Sequence, residues 1–388
     1  PEVITITGKG TITYLYDAEG NKLKKVTQEN NATVPYNNVD NTTNITTTTT
    51  YIGGFVYESK AYSNAVLSPL QYTDVLQFVS HEEGRIRPEL IVASTGYVPS
   101  NINWVYDYFE KDHLGNVRMV LTEEQKIDHY PTATLEGSGA GSPLANEENY
   151  YDINESFVVN KPTTTNPSNL LDYVNDNGTN NPNTFGDKNA VSQKMYQLNA
   201  NTNRTGMSKI LQVMAGDKID ILAKSYYQYN SGGVTNATLN AGDIISAFLA
   251  VTGGGNAAAA HGATSTLLNS NSNLVVPLDG FSNNNPINSN NEVKAGINYV
   301  ILDAQFNYVT GGFDPVDDNA SGGLKNHFIQ NITIPKNGYI YIYCSNESNI
   351  DVFFDNLEVV DTRGPILEET HYYPFGLTMA GISSKALN

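Results

Sequence analysis

Thr11-Ile12-Thr13-Tyr14-Leu15-Tyr16-Asp17-Ala18-Glu19-Gly20-Asn21-Lys22-Leu23-Lys24-Lys25-Val26 is the stretch that decides the fold class. Its first six residues are β-branched, aromatic or aliphatic and alternate in size, which suits a pleated surface. Its last five, Lys22-Leu23-Lys24-Lys25-Val26, read as the returning strand. Between them lies a tight turn. An aspartate at the first turn position accepts a hydrogen bond from the backbone two residues on, and a glycine at the fourth takes positive φ. Strand, turn and strand make a β-hairpin closed by Asp17, Gly20 and Asn21.

The pattern returns further along. Phe109-Glu110-Lys111-Asp112-His113-Leu114-Gly115-Asn116-Val117-Arg118-Met119-Val120-Leu121 aligns with it residue for residue, with Asp112, Gly115 and Asn116 in the three turn positions. A weaker copy runs from Leu76 to Ile86, with His81 in the aspartate slot, and Tyr51–Glu58 reads as another strand. The Asn/Thr-rich stretch that ends in Thr46–Thr50 is too polar for a core and is expected to be a long loop. Repetition of this kind marks an array whose units cannot bury an apolar face alone.

Beyond residue 127 the composition shifts. Residues 128–168, with the tract Gly137-Ser138-Gly139-Ala140-Gly141-Ser142-Pro143, read as a linker. Strand signals resume near Asn189 without the Asp-x-x-Gly-Asn turn: Ile210–Tyr227 around an Ala215-Gly216-Asp217 turn, Asn298–Phe306, Phe328–Ile334, Gly338–Ser345 and Ile350–Val360. Short strands split by Gly and Asn turns predict an antiparallel sandwich over 169–362. Ala241–Val251 fits a short helix or a strand. The tail, 363–388, is aromatic and strand-like, as the first 127 residues are. The expected fold is therefore all-β: a hairpin array interrupted by a sandwich, with the insertion replacing a hairpin tip between Val117–Glu123 and Glu368–Tyr373. Insertion is tolerated where two chain ends are close and exposed.

Charge narrows the partners. Lys and Arg number 22 against 40 Asp and Glu, a formal charge of −18. No basic cluster offers itself to a phosphate backbone, so nucleic acid is not expected. Nor does any stretch approach the roughly 18 apolar residues of a membrane span. The single cysteine, Cys344, sits in an apolar-aromatic run and reads as a small buried hydrophobe. With a start at Pro1 and no leader, the chain is expected to be an excised or processed piece of something longer.

The Tyr-x-Tyr-Asp-x-x-Gly-Asn turn, the string Asp112-His113-Leu114-Gly115-Asn116-Val117-Arg118 and the string Tyr372-Tyr373-Pro374-Phe375-Gly376 together resemble RHS/YD-repeat proteins, most closely the RHS repeat-associated type of Bacteroidota. The resemblance covers about 1–125 and 366–388. It implies a β-sheet wound into a cocoon that encloses or presents a C-terminal effector or toxin. It also implies a secreted or cell-surface location in a Gram-negative bacterium, by type IX export in relatives. The implied partners are the rest of the parent chain, its effector domain and the secretion machinery. The family's aspartyl self-cleavage motif, toxin and type IX signal are not in this sequence; Asp314-Pro315 lacks the accompanying glycine pattern. The middle segment resembles the jelly-roll sandwiches of carbohydrate-binding modules and galactose-binding-like domains, through Leu211–Ile219 and Val352–Val359.

Chemistry is sparse. There is no G-x-S-x-G elbow, H-E-x-x-H or P-loop, and the expectation is a protein without enzymatic activity. In several of the resembled sandwiches an aspartate of the closing strand helps to bind a structural Ca²⁺; Asp355 is the matching position, and an aspartate capping a strand answers to the same pattern. Asp314, Asp317 and the adjacent Asp318 form the densest acidic cluster, which could supply three oxygens to Ca²⁺ or lie solvated in a loop. Tyr227 and Tyr229 are the candidates for a ligand-facing, glycan-stacking role, and Trp104 reads as core. Two functions fit: a strip of β-shell bearing an outward sandwich, or a surface adhesin whose sandwich holds a glycan.

Overall fold

The computed structural model describes residues 2–36, 39–93, 96–162, 170, 172–178, 186–227, 234–251, 264–285, 293–316, 324–374, 376–379 and 384–385. The chain is all-β with antiparallel sheets, and divides into two compact units, Pro1–Glu124 and Gln125–Asn388.

The first unit is a meander of nine strands: β1 (Val3–Ile6), β2 (Gly10–Tyr16), β3 (Lys22–Tyr36), β4 (Val39–Ile52), β5 (Phe55–Tyr62), β6 (Tyr72–His81), β7 (Gly84–Ala93), β8 (Gly96–Lys111) and β9 (Val117–Thr122). Each pairs with the next. The Asn/Thr-rich stretch, expected as a loop, is most of the β3–β4 hairpin, with Val26 opposite Thr48 and Gln28 opposite Thr46. The expectation failed because it equated polar with irregular. Threonine is β-branched, and a sheet wetted on its faces needs no apolar side chains to form. Among the described residues of this unit only Ile45, Val56, Leu67 and Val120 are buried apolar side chains. Among the described residues, main-chain ladders and cross-strand pairs outnumber core contacts in holding this layer together.

The second unit is a sandwich. One sheet runs β11 (Val158–Asn160), β12 (Lys194–Leu198), β19 (Val352–Thr362), β14 (Lys218–Tyr227), β17 (Lys325–Thr333), with β10 (Ile127–His129) also on β19. The other runs β13 (Thr205–Val213), β18 (Gly338–Asn346), β15 (Ala295–Asp303), β16 (Tyr308–Pro315). Ile219, Ile221, Leu357 and Val359 of the first sheet meet Leu211, Ile297, Ile340 and Ile342 of the second in one core. A short pair, β20 (Ile366–Glu369) with β21 (Ser384–Lys385), belongs to the same unit.

Tyr339-Ile340-Tyr341-Ile342-Tyr343-Cys344 shows how period two builds this unit. The isoleucines and Cys344 enter the sandwich core, while the three tyrosines face the other way. That outer face is covered by helices α2 (Ala241–Ala250), α3 (Ser265–Ser270) and α4 (Ser272–Asn284). Ala241–Val251, open between helix and strand in the sequence, is helical because Asn240 and Asp243 form a reciprocal capping box and Ile244, Ile245 and Phe248 share one buried side. Phe248 meets Tyr341 edge to face, with centroids 5.5 Å apart.

Residues 128–168, expected to be a linker, are integral to the sandwich where they are described. Ala133 bridges to Leu357, helix α1 (Pro143–Glu147) follows, and Ala133, Leu135, Leu144 and Tyr151 lie in the core. Their sparse apolar residues are spaced by single contacts rather than by a strand or helix period, so no periodic signal announced them.

Candidate functional site

The Asp–Asn turns are closed circuits. Asp17 Oδ1 accepts from the backbone N–H of Glu19 (2.9 Å) and Asn21 (2.7 Å), and the Asn21 amide donates to Oδ2 (2.9 Å). Asp112 repeats this with Leu114 N (2.9 Å), Asn116 N (2.9 Å) and the Asn116 amide (3.0 Å). These bonds, the Asn21 and Asn116 side chains foremost, hold both carboxyls below the usual range. Gly20 and Gly115 sit at φ 89° and 83°, as the turn requires. His81 fills the aspartate slot literally: its Nδ1 accepts from Glu83 N at 3.2 Å. All six turn residues are thus spent on turn closure.

The same turn also occurs in the sandwich, where the sequence showed none. In Asp303-Ala304-Gln305-Phe306-Asn307, Asp303 Oδ1 accepts from Gln305 N (3.0 Å) and Asn307 N (2.9 Å), and Asn307 Nδ2 donates to Oδ2 (3.0 Å). Phe306 takes the glycine position at φ 59°. The paired Asp and Asn, not the glycine, were the usable signal.

Of the residues read as calcium ligands, Asp355 and Asp314 are described, and each carboxylate is held by neighbouring side chains. Asp355 is fully buried, and its carboxylate accepts from Tyr173 OH (2.6 Å), Ser192 Oγ (2.9 Å) and Asn356 N (2.7 Å). Burial nonetheless pushes its pKa up to about 7. Asp314 is held by Lys325 Nζ (2.6 Å) and His327 Nδ1 (2.7 Å). Among the described residues no three His, Cys, Asp or Glu side chains are grouped to hold a metal ion. Asp317 and Tyr229 lie outside the described residues. Tyr227, expected to face solvent, is instead fully buried: on β14 it alternates inward with Ile221 and Ala223, and Tyr226 turns outward.

Asp314, His327 and Ser225 form a relay that the sequence did not disclose. His327 Nε2 lies 2.8 Å from Ser225 Oγ, and its Nδ1 lies 2.7 Å from Asp314 Oδ2. The order matches that of a serine hydrolase. Access does not: Ser225 and His327 are 1% and 0% exposed, on the inner face of the sheet. Burial lowers the His327 pKa against the pull of Asp314, which favours the neutral imidazole. Because Asp314 lies on β16 of the opposite sheet, the relay acts as a polar clasp between edge strands.

An open cleft of ≈ 300 Å³ lies on the outer face of the β14–β17 side, between Tyr173, Lys224, Asn326 and Phe328. Strand register builds it. Asn326 and Asp355 both oppose Lys224, giving a polar row across the sheet, and in the neighbouring row Phe328 and Glu358 both oppose Leu222. Lys224 Nζ donates to Asp176 O and Asn177 Oδ1, each at 2.8 Å. Its pKa is lowered by burial, against the opposing pull of Asp355, Asp176 and Glu358. Phe328 is 56% exposed at the rim.

The first unit carries a separate aromatic strip. Trp104, Tyr106 and Tyr108 alternate on one face of β8 and are exposed, which corrects the reading of Trp104 as core. Tyr106 and Tyr108 stack at 6.2 Å, with His81 edge-on to both. Asp107, on the opposite face, is buried beneath Arg85 (2.7 Å) and Arg87 (2.9 Å).

No protein-family model matches the chain, and no curated protein matches it. Among the described residues no helix is long and apolar enough to cross a membrane.

Proposed function

We propose that this chain is a non-enzymatic part of a secreted or cell-surface protein of the RHS type, in which the meander supplies a strip of β-shell around or beside an effector and the sandwich is carried as an outward module. The observation that carries this reading is the Asp–Asn turn repeated at Asp17–Asn21 and Asp112–Asn116 on a nine-strand layer with few buried apolar side chains among its described residues. A layer of this kind gains stability from neighbours of the same kind, as repeat arrays do. Surface proteolysis of intact cells of the encoding organism tests the location. Release of peptides from 125–388 before lysis is expected; recovery only after lysis overturns it.

A second reading, an adhesin that binds glycan through its sandwich, is favoured by the cleft beside Phe328. That cleft joins an exposed ring to an amide and an ammonium, the mixture that sugar recognition uses.

A further inference from the structure

We propose that the cleft bounded by Phe328, Asn326, Lys224 and Tyr173 is a binding site for one ring of a neutral hexose, free or at the end of a glycan. The inference rests on the glycan-binding reading of the sandwich and places it at specific side chains.

Phe328 offers a solvent-facing ring at the cleft rim, against which the C–H face of a pyranose packs. A sugar ring also needs donors and acceptors at fixed positions around its edge. Asn326 stands directly across from Lys224 on the neighbouring strand, and among the described residues its side chain makes no hydrogen bond, so both its carbonyl and its amide are available to hydroxyls. Lys224 is 6% exposed yet lines the cleft. Two of its three N–H bonds go to Asp176 O and Asn177 Oδ1. The third remains for a ligand oxygen.

The lysine is positioned from behind. Asp355 opposes it in register, and Tyr173 both binds the Asp355 carboxylate and places its ring 5.9 Å from the ammonium. The donor is therefore fixed before a ligand arrives, which lowers the ordering cost of binding.

Charge selects the class of sugar. Asp176, Asp355 and Glu358 surround Lys224, and the chain carries −18 overall. A uronic or sialic acid brings a further anion into that field, whereas a neutral hydroxyl does not. The cleft, at ≈ 300 Å³, lies at the small end of ligand sites and suits one ring rather than a chain laid along the sheet.

Saturation-transfer NMR on the full chain tests this with the methyl glycosides of glucose, galactose, mannose and N-acetylglucosamine, and with glucuronate as the anionic arm. At least one neutral glycoside is expected to bind saturably. Phe328→Ala and Asn326→Ala are each expected to weaken it tenfold or more, and Phe328→Trp to retain it. Both positions are exposed on an edge strand, and unchanged thermal unfolding confirms intact variants. Neutral binding that survives both alanine variants overturns the cleft while leaving the glycan reading in place. Binding of glucuronate alone overturns the neutral class. No binding by any of the five overturns the site and the glycan reading together.

Discussion

Phe306 lies flat against Tyr339, with ring centroids 5.2 Å apart and planes 9° apart, although its own backbone φ is 59°. A side chain at positive φ costs about 1–2 kcal/mol, and a buried phenylalanine lost to a small residue costs about 3–5 kcal/mol. Burial therefore outweighs strain. Phe306→Gly is expected to relieve the backbone and still destabilise the sandwich by about 2–3 kcal/mol, read as a lower urea midpoint. A gain in stability would show that the turn, not the ring, governs this position.

The exposed turns run the other way. Gly20 and Gly115 hold positive φ with open space where a Cβ would be. Gly115→Val is expected to cost about 1–2 kcal/mol through strain alone, whereas Gly115→Asn costs less, since asparagine tolerates this region. The difference between the two variants in local hydrogen exchange across the β8–β9 hairpin checks this.

Asp355 gives stability a sign with pH. Its folded pKa, raised to about 7, exceeds the unfolded value near 3.8. The folded state then holds a proton that the unfolded state releases. The contribution is present in full below about pH 4 and is lost as pH rises towards 7. Unfolding free energy is expected to fall across that window by an amount on the order of 3 kcal/mol, and Asp355→Asn to flatten part of the slope. Asp361, raised to about 7 by burial and then by Asp217, adds in the same direction.

Lys209 acts with the opposite sign. It is buried, donates to Tyr150 O at 2.8 Å, and lies 3.7 Å from the Tyr130 ring centroid. Burial lowers its pKa to about 7, although the facing ring favours the charged form. The unfolded state keeps its proton up to about pH 10, so stability is expected to rise from pH 7 to 10. Lys209→Met removes that rise. Urea titrations at pH 5, 7 and 9.5 are expected to place the least stable point of the wild-type chain near neutrality.

Ser225 is expected to remain unlabelled by a fluorophosphonate probe in the folded protein, because the sandwich encloses its hydroxyl. His327→Ala removes a partner from both Ser225 and Asp314 and is expected to cost about 1–3 kcal/mol. Labelling of Ser225 in the wild type, and its loss in His327→Ala, would mark a nucleophile and overturn the non-enzymatic reading.

Trp104 is 44% exposed, so its emission is expected to resemble free tryptophan and to be quenched readily by acrylamide. A blue-shifted, protected signal would mean that a second layer covers the aromatic strip.

The all-β class, the two hairpin turns and the main sandwich strands were legible in the sequence, because period two and Asp-x-x-Gly-Asn are local rules that neighbours in the chain satisfy. Tertiary structure decided the rest. Whether Tyr227 or Tyr226 turned outward depended on which side of β14 met the second sheet. Whether Trp104 was core depended on a layer having no partner on its aromatic face among the described residues. Asp355 and Asp314 resembled metal ligands until Tyr173, Ser192, Lys325 and His327 took up their oxygens. The cleft was invisible for the same reason: Tyr173, Lys224 and Phe328 are about 50 and 100 residues apart in sequence, and only strand register makes them neighbours. A sequence carries each strand's alternation, but the phase of that alternation against solvent is set by what packs upon it.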